Sequence, residues 1–360
     1  MAALTRPAFR VSPEIAAALA LAGTAGFGPA TVRRLIDRHG SAIRALEEAP
    51  GAPQPRVARR LGDEAGRELP AGARMLSYGG PGYPGCLARL HDPPVVLWAA
   101  GPLPVEAGTS VAVVGTRTAT ADGRRLARRI ARDLACRGIR IISGLARGID
   151  AEAHWGALEA EGETLAVLGS GLNFEYPRLN RGLYAELRRS GALLTEFAPN
   201  ERPAAHQFPR RNRIVAALAD AVLIVQAGWK SGARITASHA ADIGVDVLAC
   251  PGPVDLSASE GCHALLKDGA GLVTCADDVL QALAWDGSRS VPVTRDHDTA
   301  CLTLDDSDRR IMDRLAESPA DIDELAGLVG GPGLAASSLG RLEALGRVSA
   351  LAATRFERAR

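Results

Sequence analysis

Six short apolar runs, spaced regularly through the middle of the chain, constrain its fold more than any other feature. They read VAVVGTR, IRIISG, TLAVLGS, ALLTEF, AVLIVQAG and DVLACPG, and each ends in a turn. Segments with helical spacing of apolar residues separate them, at 123–137, 149–161, 178–189, 212–219, 234–243 and 261–267. Unbroken apolar strands that alternate with helices are typical of a parallel sheet covered on both faces. The sequence therefore predicts an α/β, doubly wound domain over residues 71–286.

The flanking regions show other patterns. Residues 1–70 predict short helices, with a glycine turn, GFG, between two of them. This turn resembles a helix-hairpin-helix of a SAM-like domain, whose amides can hold a DNA phosphate, but a single such hairpin favours a plain helical bundle with a tight turn. Residues 287–304 are polar and predict a linker. Residues 305–360 predict three amphipathic helices and a terminal strand, the order of a small winged-helix-like domain.

Composition limits the partners of the chain. The formal net charge is +1 over 360 residues, so any nucleic-acid site must come from local clustering of basic residues. Lysine occurs only at Lys230 and Lys267, so nearly all of the 42 basic residues are arginines. The six cysteines form no C-x-x-C pair and no zinc-finger spacing, so we expect no metal site and reduced thiols in a cytoplasmic protein. Glu14 interrupts the first apolar stretch, and we expect no signal peptide and no membrane span.

The loops after the strands are rich in glycine, hydroxyl groups and arginine. They read GTRTAT (115–120), SGLARGID (143–150), GSGLNFEYP (169–177), GWKSGARITA (228–237) and PGPVD (251–255). The carboxyl ends of parallel strands share one edge, where ligands bind, and glycine loops let amides approach an anion. The sequence therefore predicts a polyanion site. It contains neither a P-loop nor G-x-G-x-x-G after the first strand, which argues against a P-loop ATPase and a NAD-dependent dehydrogenase.

The stretch HQFPRRNRIV lies after the fourth strand, at the same predicted edge. It carries Phe208 beside Arg210, Arg211 and Arg213, and we expect the next helix to begin at Asn212. An aromatic ring flanked by guanidinium groups suits a single strand of nucleic acid, because bases stack on the ring and arginines contact phosphates. Alternatively, Phe208 fills the core and the arginines form a solvated surface.

These motifs resemble the DNA-processing protein A family (DprA, also called Smf) between about Leu76 and Val273. YPGCLARLHDPPVVLWAAG, VAVVGTR, SGLARGIDAEAHWGAL, LGSGLNFEYPRLN, FPRRNRIVAALADAVLIVQA, KSGARITASHA and CPGPVD follow in the family order. The resemblance implies an extended Rossmann-like fold, a homodimer and a non-enzymatic protein without cofactor. It also implies single-stranded DNA as ligand, protection of incoming DNA in natural transformation, and loading of a RecA-type recombinase.

The same resemblance implies which residues bind DNA. Arg117 contacts a phosphate, Phe208 stacks on a base, and Arg211 and Arg213 line the groove, although Arg213 can instead hold the loops from inside. The Thr236 hydroxyl donates to the anion from a helix start. The complete implied site consists of Gly115, Thr116, Arg117, Ser143, Gly144, Arg147, Gly148, Phe208, Arg211, Asn212, Arg213, Lys230, Ser231, Gly232 and Thr236. We expect Asp150 to support the helix after its loop.

Two other functions are compatible with parts of the sequence. Phosphoribohydrolases of the LOG type use similar glycine loops, but WKSGARITASHA lacks the glutamate of their P-G-G-x-G-T-x-x-E motif. His154 is expected to pack inside a helix rather than act as a catalyst. A DNA-reading winged helix is disfavoured because AASSLGRLEALGRV offers only two arginines. The sequence departs from the family pattern at Gln226, Arg234, Asp246 and the pair Cys262–His263.

Overall fold

The computed structural model describes residues 11–105, 108–284, 306–344, 348–352 and 355–358. The chain divides into two compact units, Met1–Val293 and Thr294–Arg360. The predicted linker at 287–304 lies outside the described residues. The boundaries predicted within the first unit, near residues 70 and 286, stay predictions.

The first unit contains a nine-stranded sheet with the order β1-β2-β6-β5-β4-β3-β7-β8-β9. The strands are β1 (Ala73–Ser77), β2 (Val96–Ala100), β3 (Ser110–Val114), β4 (Arg140–Ser143), β5 (Thr164–Val167), β6 (Ala192–Thr195), β7 (Ala221–Ile224), β8 (Asp246–Ala249) and β9 (Gly271–Leu272). The six predicted strands are β3 to β8, and all their pairings are parallel. Strand β2 pairs antiparallel with β1 and with β6, so this edge differs from the all-parallel expectation.

The strand order creates a switch point in the middle of the sheet. From β3 the chain builds towards β4, β5 and β6, then crosses back to place β7 on the other side of β3. The loops after β3 and β7 therefore leave in opposite directions and open a crevice at their carboxyl ends. This crevice is where a ligand of an open α/β sheet is expected.

Helices cover both faces of this sheet, as predicted. They are α5 (Ala121–Ala135), α6 (Ile149–Glu159), α7 (Arg181–Ser190), α8 (Gln207–Leu218), α9 (Gly232–Asp242), α10 (Glu260–Lys267) and α11 (Ala276–Ala282). One apolar cluster joins α5 and α6 to one side of the sheet, and another joins α8 and α9 to the opposite side. The doubly wound, Rossmann-like fold is confirmed.

The start of α8 differs from the sequence expectation. We expected a helix from Asn212, but α8 begins at Gln207 and includes Phe208 and Pro209 in its first turn. Proline is tolerated there because a first-turn N–H has no intrahelical partner. Phe208 is therefore a helical residue, held more rigidly than a loop residue would be.

The described part of the N-terminal region, from residue 11 on, forms four helices, which agrees with the prediction of short helices. They are α1 (Pro13–Ala22), α2 (Pro29–His39), α3 (Ala42–Glu48) and α4 (Pro55–Glu68). Gly26 has a φ of 84°, a conformation that L side chains rarely adopt, in the turn between α1 and α2. These helices share an apolar cluster with strand β2, through residues such as Leu21 and Trp98.

The second unit contains α12 (Asp306–Glu317), α13 (Ile322–Val329) and α14 (Pro332–Ala344). A small sheet of order β10-β12-β11 accompanies them, formed by β10 (Ala320–Asp321), β11 (Val348–Ala352) and β12 (Arg355–Arg358). The three helices agree with the winged-helix order, but a hairpin of two strands replaces the single terminal strand that we expected.

Two further expectations concern cysteines and membranes. Cys250, Cys262 and Cys275 form no disulfide, whereas Cys136 is disulfide-bonded and so departs from the expectation of reduced thiols. No helix in the described part of the chain is both long and apolar enough to cross a membrane.

Candidate nucleic-acid interface

A cleft of about 710 Å³ opens at the carboxyl ends of the strands. Its walls come from the loop after β3, the loop after β4, the first turns of α8, and the segment from β7 into α9. These segments lie far apart in the sequence, and the switch point of the sheet brings them together. Of the five predicted loops, those after β3, β4 and β7 border this cleft, and Tyr176 of the loop after β5 borders it as well, but PGPVD (251–255) after β8 does not.

The loop after β3 brings Arg117 to the cleft. Gly115 packs so closely against Ile149 that a Cβ there would lie 2.5 Å from its side chain. The Thr116 amide donates to the Gln226 carbonyl at 2.7 Å, so it is not free for a phosphate, contrary to our expectation. The Arg117 side chain, by contrast, is exposed.

The loop after β4 is organised around a buried carboxylate. Asp150, 6 % exposed, accepts hydrogen bonds from the amides of Gly144 at 3.2 Å and Ala146 at 3.4 Å. We expected such loop amides to face the ligand. They donate to Asp150 instead, so the buried carboxylate takes the place in the loop that the anionic ligand was expected to have. Burial raises the pKa of Asp150, and the Arg211 charge and these amides oppose that rise.

Two further members of the implied β4 loop have structural contacts. Ser143 is fully buried and its hydroxyl donates to the Val113 carbonyl at 2.6 Å, so it does not face the cleft. Gly148 has a φ of 79°, and a side chain there would collide with the Thr116 carbonyl. Both residues shape the loop rather than offer a ligand contact.

Phe208 stands between the main cleft and a second cavity of about 280 Å³. It is half-buried, and its ring packs on Gly169, where a Cβ would lie 2.6 Å away. The Arg117 guanidinium lies 5.1 Å from the ring centroid. The ring therefore neither fills the core nor projects freely: it is fixed on one side and faces the cleft on the other.

Arg211 is buried beneath the cleft, with 4 % of its surface exposed. Its Nη1 donates to the Gly144 carbonyl at 2.7 Å and also to the Val167 carbonyl. Burial lowers the pKa of Arg211 to about 10, while Asp150 opposes that shift, so the guanidinium stays charged at neutral pH. We expected this arginine to line the groove; it borders the cleft but mainly holds the loops after β4 and β5.

Arg213 lies inside the protein and does not line the cleft. Its Nη2 lies 2.6 Å from Glu196 Oε2, and both side chains are almost completely buried. Arg210 contacts the same carboxylate oxygen at 2.9 Å from a half-exposed position. These contacts agree with the alternative role of Arg213, which is to hold the structure from inside, rather than with a groove-lining role. Glu196 therefore neutralises positive charge of Arg210 and Arg213 that the sequence suggested was available to a ligand.

The segment into α9 forms the opposite wall. Lys230 is exposed, and Gly232 has open space around it. Ser231 caps the helix by accepting from the Ala233 amide at 3.3 Å. Thr236 borders the cleft from the second turn, not from the helix start that we expected, because α9 begins two residues earlier than predicted.

Asn212 joins the two walls. Its Nδ2 donates to the Gly232 carbonyl at 3.3 Å, and its Oδ1 accepts from Arg211 Nε at 3.1 Å. The first turns of α8 and α9 are thereby connected across the cleft.

Sequence reasoning missed Tyr176. Its ring is 43 % exposed, lies 5.5 Å from the Phe208 ring, and borders both cavities. Arg147 lines the second cavity and is exposed. The signal was present in GSGLNFEYP, a predicted loop with Tyr176 as its penultimate residue, but only the fold places that loop beside Phe208.

Exposed cations dominate the two cavities. Arg117, Arg147 and Lys230 are exposed, whereas the carboxylate that borders the main cleft, Asp150, is buried and directed at loop amides. A cleft whose accessible charges are positive attracts an anionic ligand.

The remaining titratable candidates serve packing. His154 is fully buried, its Nδ1 lies 2.7 Å from the Thr164 hydroxyl, and burial lowers its pKa to about 3. The expectation that it packs inside is confirmed. The Cys262 thiol is buried against the Ile224 carbonyl, and His263 Nε2 lies 3.0 Å from the Gly252 carbonyl. Gln226 Oε1 accepts from the Thr120 amide at 2.9 Å.

Comparisons with known proteins identify the family. Residues 74–284 match the family described as DNA recombination-mediator protein A, and residues 13–72 match the DprA-like N-terminal HHH domain. A putative DNA processing protein DprA from Mycobacterium tuberculosis is 44 % identical over 70 % of this chain and 65 % of its own length. Protein Smf from Escherichia coli is 44 % identical over 56 % of this chain and 54 % of its own length. The chain thus spans between about half and two thirds of these relatives.

Solved structures agree with this assignment. DNA processing protein A from Streptococcus pneumoniae superposes with a TM-score of 0.64 and 29 % identity over 76 % of this chain and 98 % of that one. DNA processing protein A from Helicobacter pylori, solved for its single-stranded DNA binding mode, gives 0.54 and 30 % over 59 % of this chain and 95 % of that one. The resemblance read from the motifs is confirmed: the chain belongs to the DNA recombination-mediator protein A family of DNA-processing proteins.

Proposed function

We propose that this protein binds single-stranded DNA in the cleft at the carboxyl ends of the strands. The observation that carries the proposal is the half-buried Phe208 ring, fixed on Gly169 and flanked by the exposed Arg117 at the mouth of that cleft. Stacking needs a fixed ring with an accessible face, and phosphate contact needs exposed cations nearby. The single-stranded DNA binding mode of the Helicobacter pylori protein supports the same ligand class.

The residues divide into contacts and supports. Arg117, Arg147 and Lys230 contact phosphates, Phe208 stacks on a base, and the Gly232 amide at the start of α9 donates to the strand. Arg211, Asn212 and Asp150 keep the loops in place. We expect little preference for the base sequence of the DNA, because the exposed groups contact phosphates or stack on the face of any base.

A titration of labelled oligonucleotides at stated salt concentrations tests this function. We expect tight binding of single strands, weaker binding of a duplex of equal length, and an affinity that falls with salt by about 0.7 logarithmic units per contacted phosphate. Equal affinity for single strands and duplex, or none for either, would contradict the proposal.

We further propose that the protein acts without catalysis or cofactor, in the cytoplasm, as a homodimer. A second subunit would let one strand contact two clefts and gain avidity. No accessible nucleophile and base face each other among the cleft residues, and His154 is buried and neutral. A nucleoside monophosphate hydrolysis assay separates this proposal from the LOG-type alternative, since we expect no release of base.

We also propose that the bound strand is protected and passed to a RecA-type recombinase during natural transformation. The family assignment supports this step. Strand exchange by the recombinase, measured with and without this protein on strands coated by a single-strand-binding protein, tests it. An unchanged lag before exchange would remove the loading role but leave strand binding intact.

A further inference from the structure

An exposed tryptophan lies at the rim of the cleft. Trp229 is 58 % exposed, whereas Trp98 is buried and Trp155 is partly buried, so it is the most accessible tryptophan in the described part of the chain. Its chain neighbours Gly228 and Lys230 both line the cleft. Trp229 itself does not line the cleft, so its side chain lies just outside the wall that the segment into α9 forms.

The Trp229 ring is held in a defined orientation. The Arg234 guanidinium lies 4.4 Å from the ring centroid, and Arg234 Nη1 donates to the Trp229 carbonyl at 2.9 Å. Arg234 Nε is buried without a hydrogen-bond partner, which shows how closely this side chain lies on its surroundings. One face of the indole is thus covered by a cation, and the exposed area belongs to the remainder of the ring.

This arrangement has the chemistry of a stacking platform. A single exposed aromatic residue does not by itself imply a partner, but covering the indole would bury a large apolar surface and so favour binding of a flat ligand. A cation on one face of the ring restricts the motion of the ring, so less conformational entropy is lost when a flat ligand stacks on the other face. The adjacent Lys230 places a positive charge where the phosphate next to such a ligand would lie.

We infer that Trp229, held by Arg234, stacks on a second base of the bound strand outside the cleft that contains Phe208. The inference rests on the proposed function and extends it, because it gives the strand a path from Phe208 across Lys230 to the α9 side. Arg234 is a positioning residue in this path. Its presence, a departure from the family pattern, then has a role: it orients the indole.

Binding of an oligothymidine of about 16 nucleotides tests this inference, compared with an abasic strand of the same length. Trp229→Ala should lower affinity for oligothymidine about fivefold or more and leave affinity for the abasic strand unchanged. Trp229→Phe should retain most of the affinity. Leu334→Ala, at an exposed apolar residue of the second unit with 54 % exposure, is the matched control and should change neither.

Tryptophan fluorescence gives a second readout. The strand should quench the emission of the wild-type protein and of Trp155→Phe, and this quenching should disappear in Trp229→Phe. Arg234→Ala should weaken oligothymidine binding less than Trp229→Ala does, because it loosens the ring without removing it.

Three results would overturn the inference. Unchanged binding by Trp229→Ala, while Phe208→Ala binds more weakly, would remove Trp229 from the strand path and leave the proposed function standing. Equal losses on oligothymidine and the abasic strand would exclude stacking. A smaller molecular mass of Trp229→Ala in solution would assign the ring to contact between two copies of the chain. A wild-type protein that binds neither strand would refute the proposed function itself.

Discussion

Two layers of the same cleft use similar residues in opposite ways. The exposed layer consists of the exposed Arg117 and Lys230 and the half-buried Phe208, and the buried layer consists of Asp150, Arg211 and also His154, which does not itself line the cleft. The exposed Arg117 guanidinium lies beside the Phe208 ring, whereas the Arg211 guanidinium donates to the Gly144 and Val167 carbonyls inside the protein. The difference teaches that an arginine near a ligand site contacts the ligand only if the protein has not already used its donors. DNA binding by the exposed layer should therefore depend on the salt concentration. The stability that the buried layer contributes should depend on pH and on the loss of a charged side chain.

The largest effect is expected in the buried layer. Arg211→Ala should lower the free energy of unfolding by about 3–5 kcal/mol, because it leaves Asp150 buried without its cation and two carbonyls without a donor. Chemical denaturation measures this loss. The double variant Arg211→Met, Asp150→Asn should lose less free energy of unfolding than the sum of the losses in the two single variants Arg211→Met and Asp150→Asn. Unchanged stability with lost DNA binding would instead move Arg211 into the exposed layer.

The next effect tests the exposed layer. Phe208→Ala should weaken binding of single-stranded DNA by about 1–3 kcal/mol while the protein stays folded, because a stacking surface is lost. Fluorescence anisotropy and a melting curve measure the two quantities. Phe208→Leu keeps an apolar side chain but not the ring, so it should bind as weakly as the alanine variant. A lower Tm with intact affinity would show that Phe208 serves mainly the core.

A smaller effect should appear when the buried layer is acidified. Burial lowers the folded pKa of His154 to about 3, so the unfolded chain binds more protons than the folded protein below the ordinary histidine pKa. The stability that depends on His154 is complete above pH ~6.5 and is lost as the pH falls towards the folded pKa. Between pH ~6.5 and ~5.5 the loss should be about 1 kcal/mol.

Urea unfolding at the two pH values measures this loss. His154→Gln, which stays neutral, should show a smaller dependence on pH. An identical pH dependence in wild type and variant would mean that other groups cause it.

The smallest effect concerns one phosphate contact. Arg117→Ala should reduce the slope of log affinity against log salt by about 0.7, with little change in stability. Binding measured over a range of salt concentrations gives the slope. Arg117→Lys should keep the slope, and Arg124→Ala, at an exposed arginine of α5 that does not line the cleft, should leave it unchanged. A slope that Arg117→Ala does not alter would remove this arginine from the strand path.

Much of the fold was predictable because its signals are local. The six apolar runs became β3 to β8, and the loops after them meet at one edge, since strand type and crossover rules depend on short stretches of sequence. The start of α8 was not predicted because Pro209 reads as a helix breaker, although the first turn tolerates it. Strand β1 was missed because its sequence, ARMLS, contains an arginine and no β-branched residue, so it lacks the apolar run that marks the predicted strands.

The site was predictable only in part. The sequence correctly brought Arg117, Phe208 and Lys230 to one cleft, but it could not tell which donors remain available. Thr116, Ser143 and Arg213 look like ligand contacts in the sequence, but each donates to an acceptor inside the protein. The acceptors are, in the same order, the Gln226 carbonyl, the Val113 carbonyl and the Glu196 carboxylate. These acceptors lie 17 to 110 residues away in the chain, so no local pattern reveals them.

By itself, the sequence determined the doubly wound sheet, the edge that carries the glycine loops, and the family, because apolar periodicity and ordered motifs are properties of neighbouring residues. Only the tertiary structure decided which charges face outward, because burial and hydrogen-bond partners depend on segments that meet only in the folded chain. Asp150 shows the reason most directly: a carboxylate that would repel a phosphate in solution is buried against loop amides and a guanidinium, and there it supports the cleft instead.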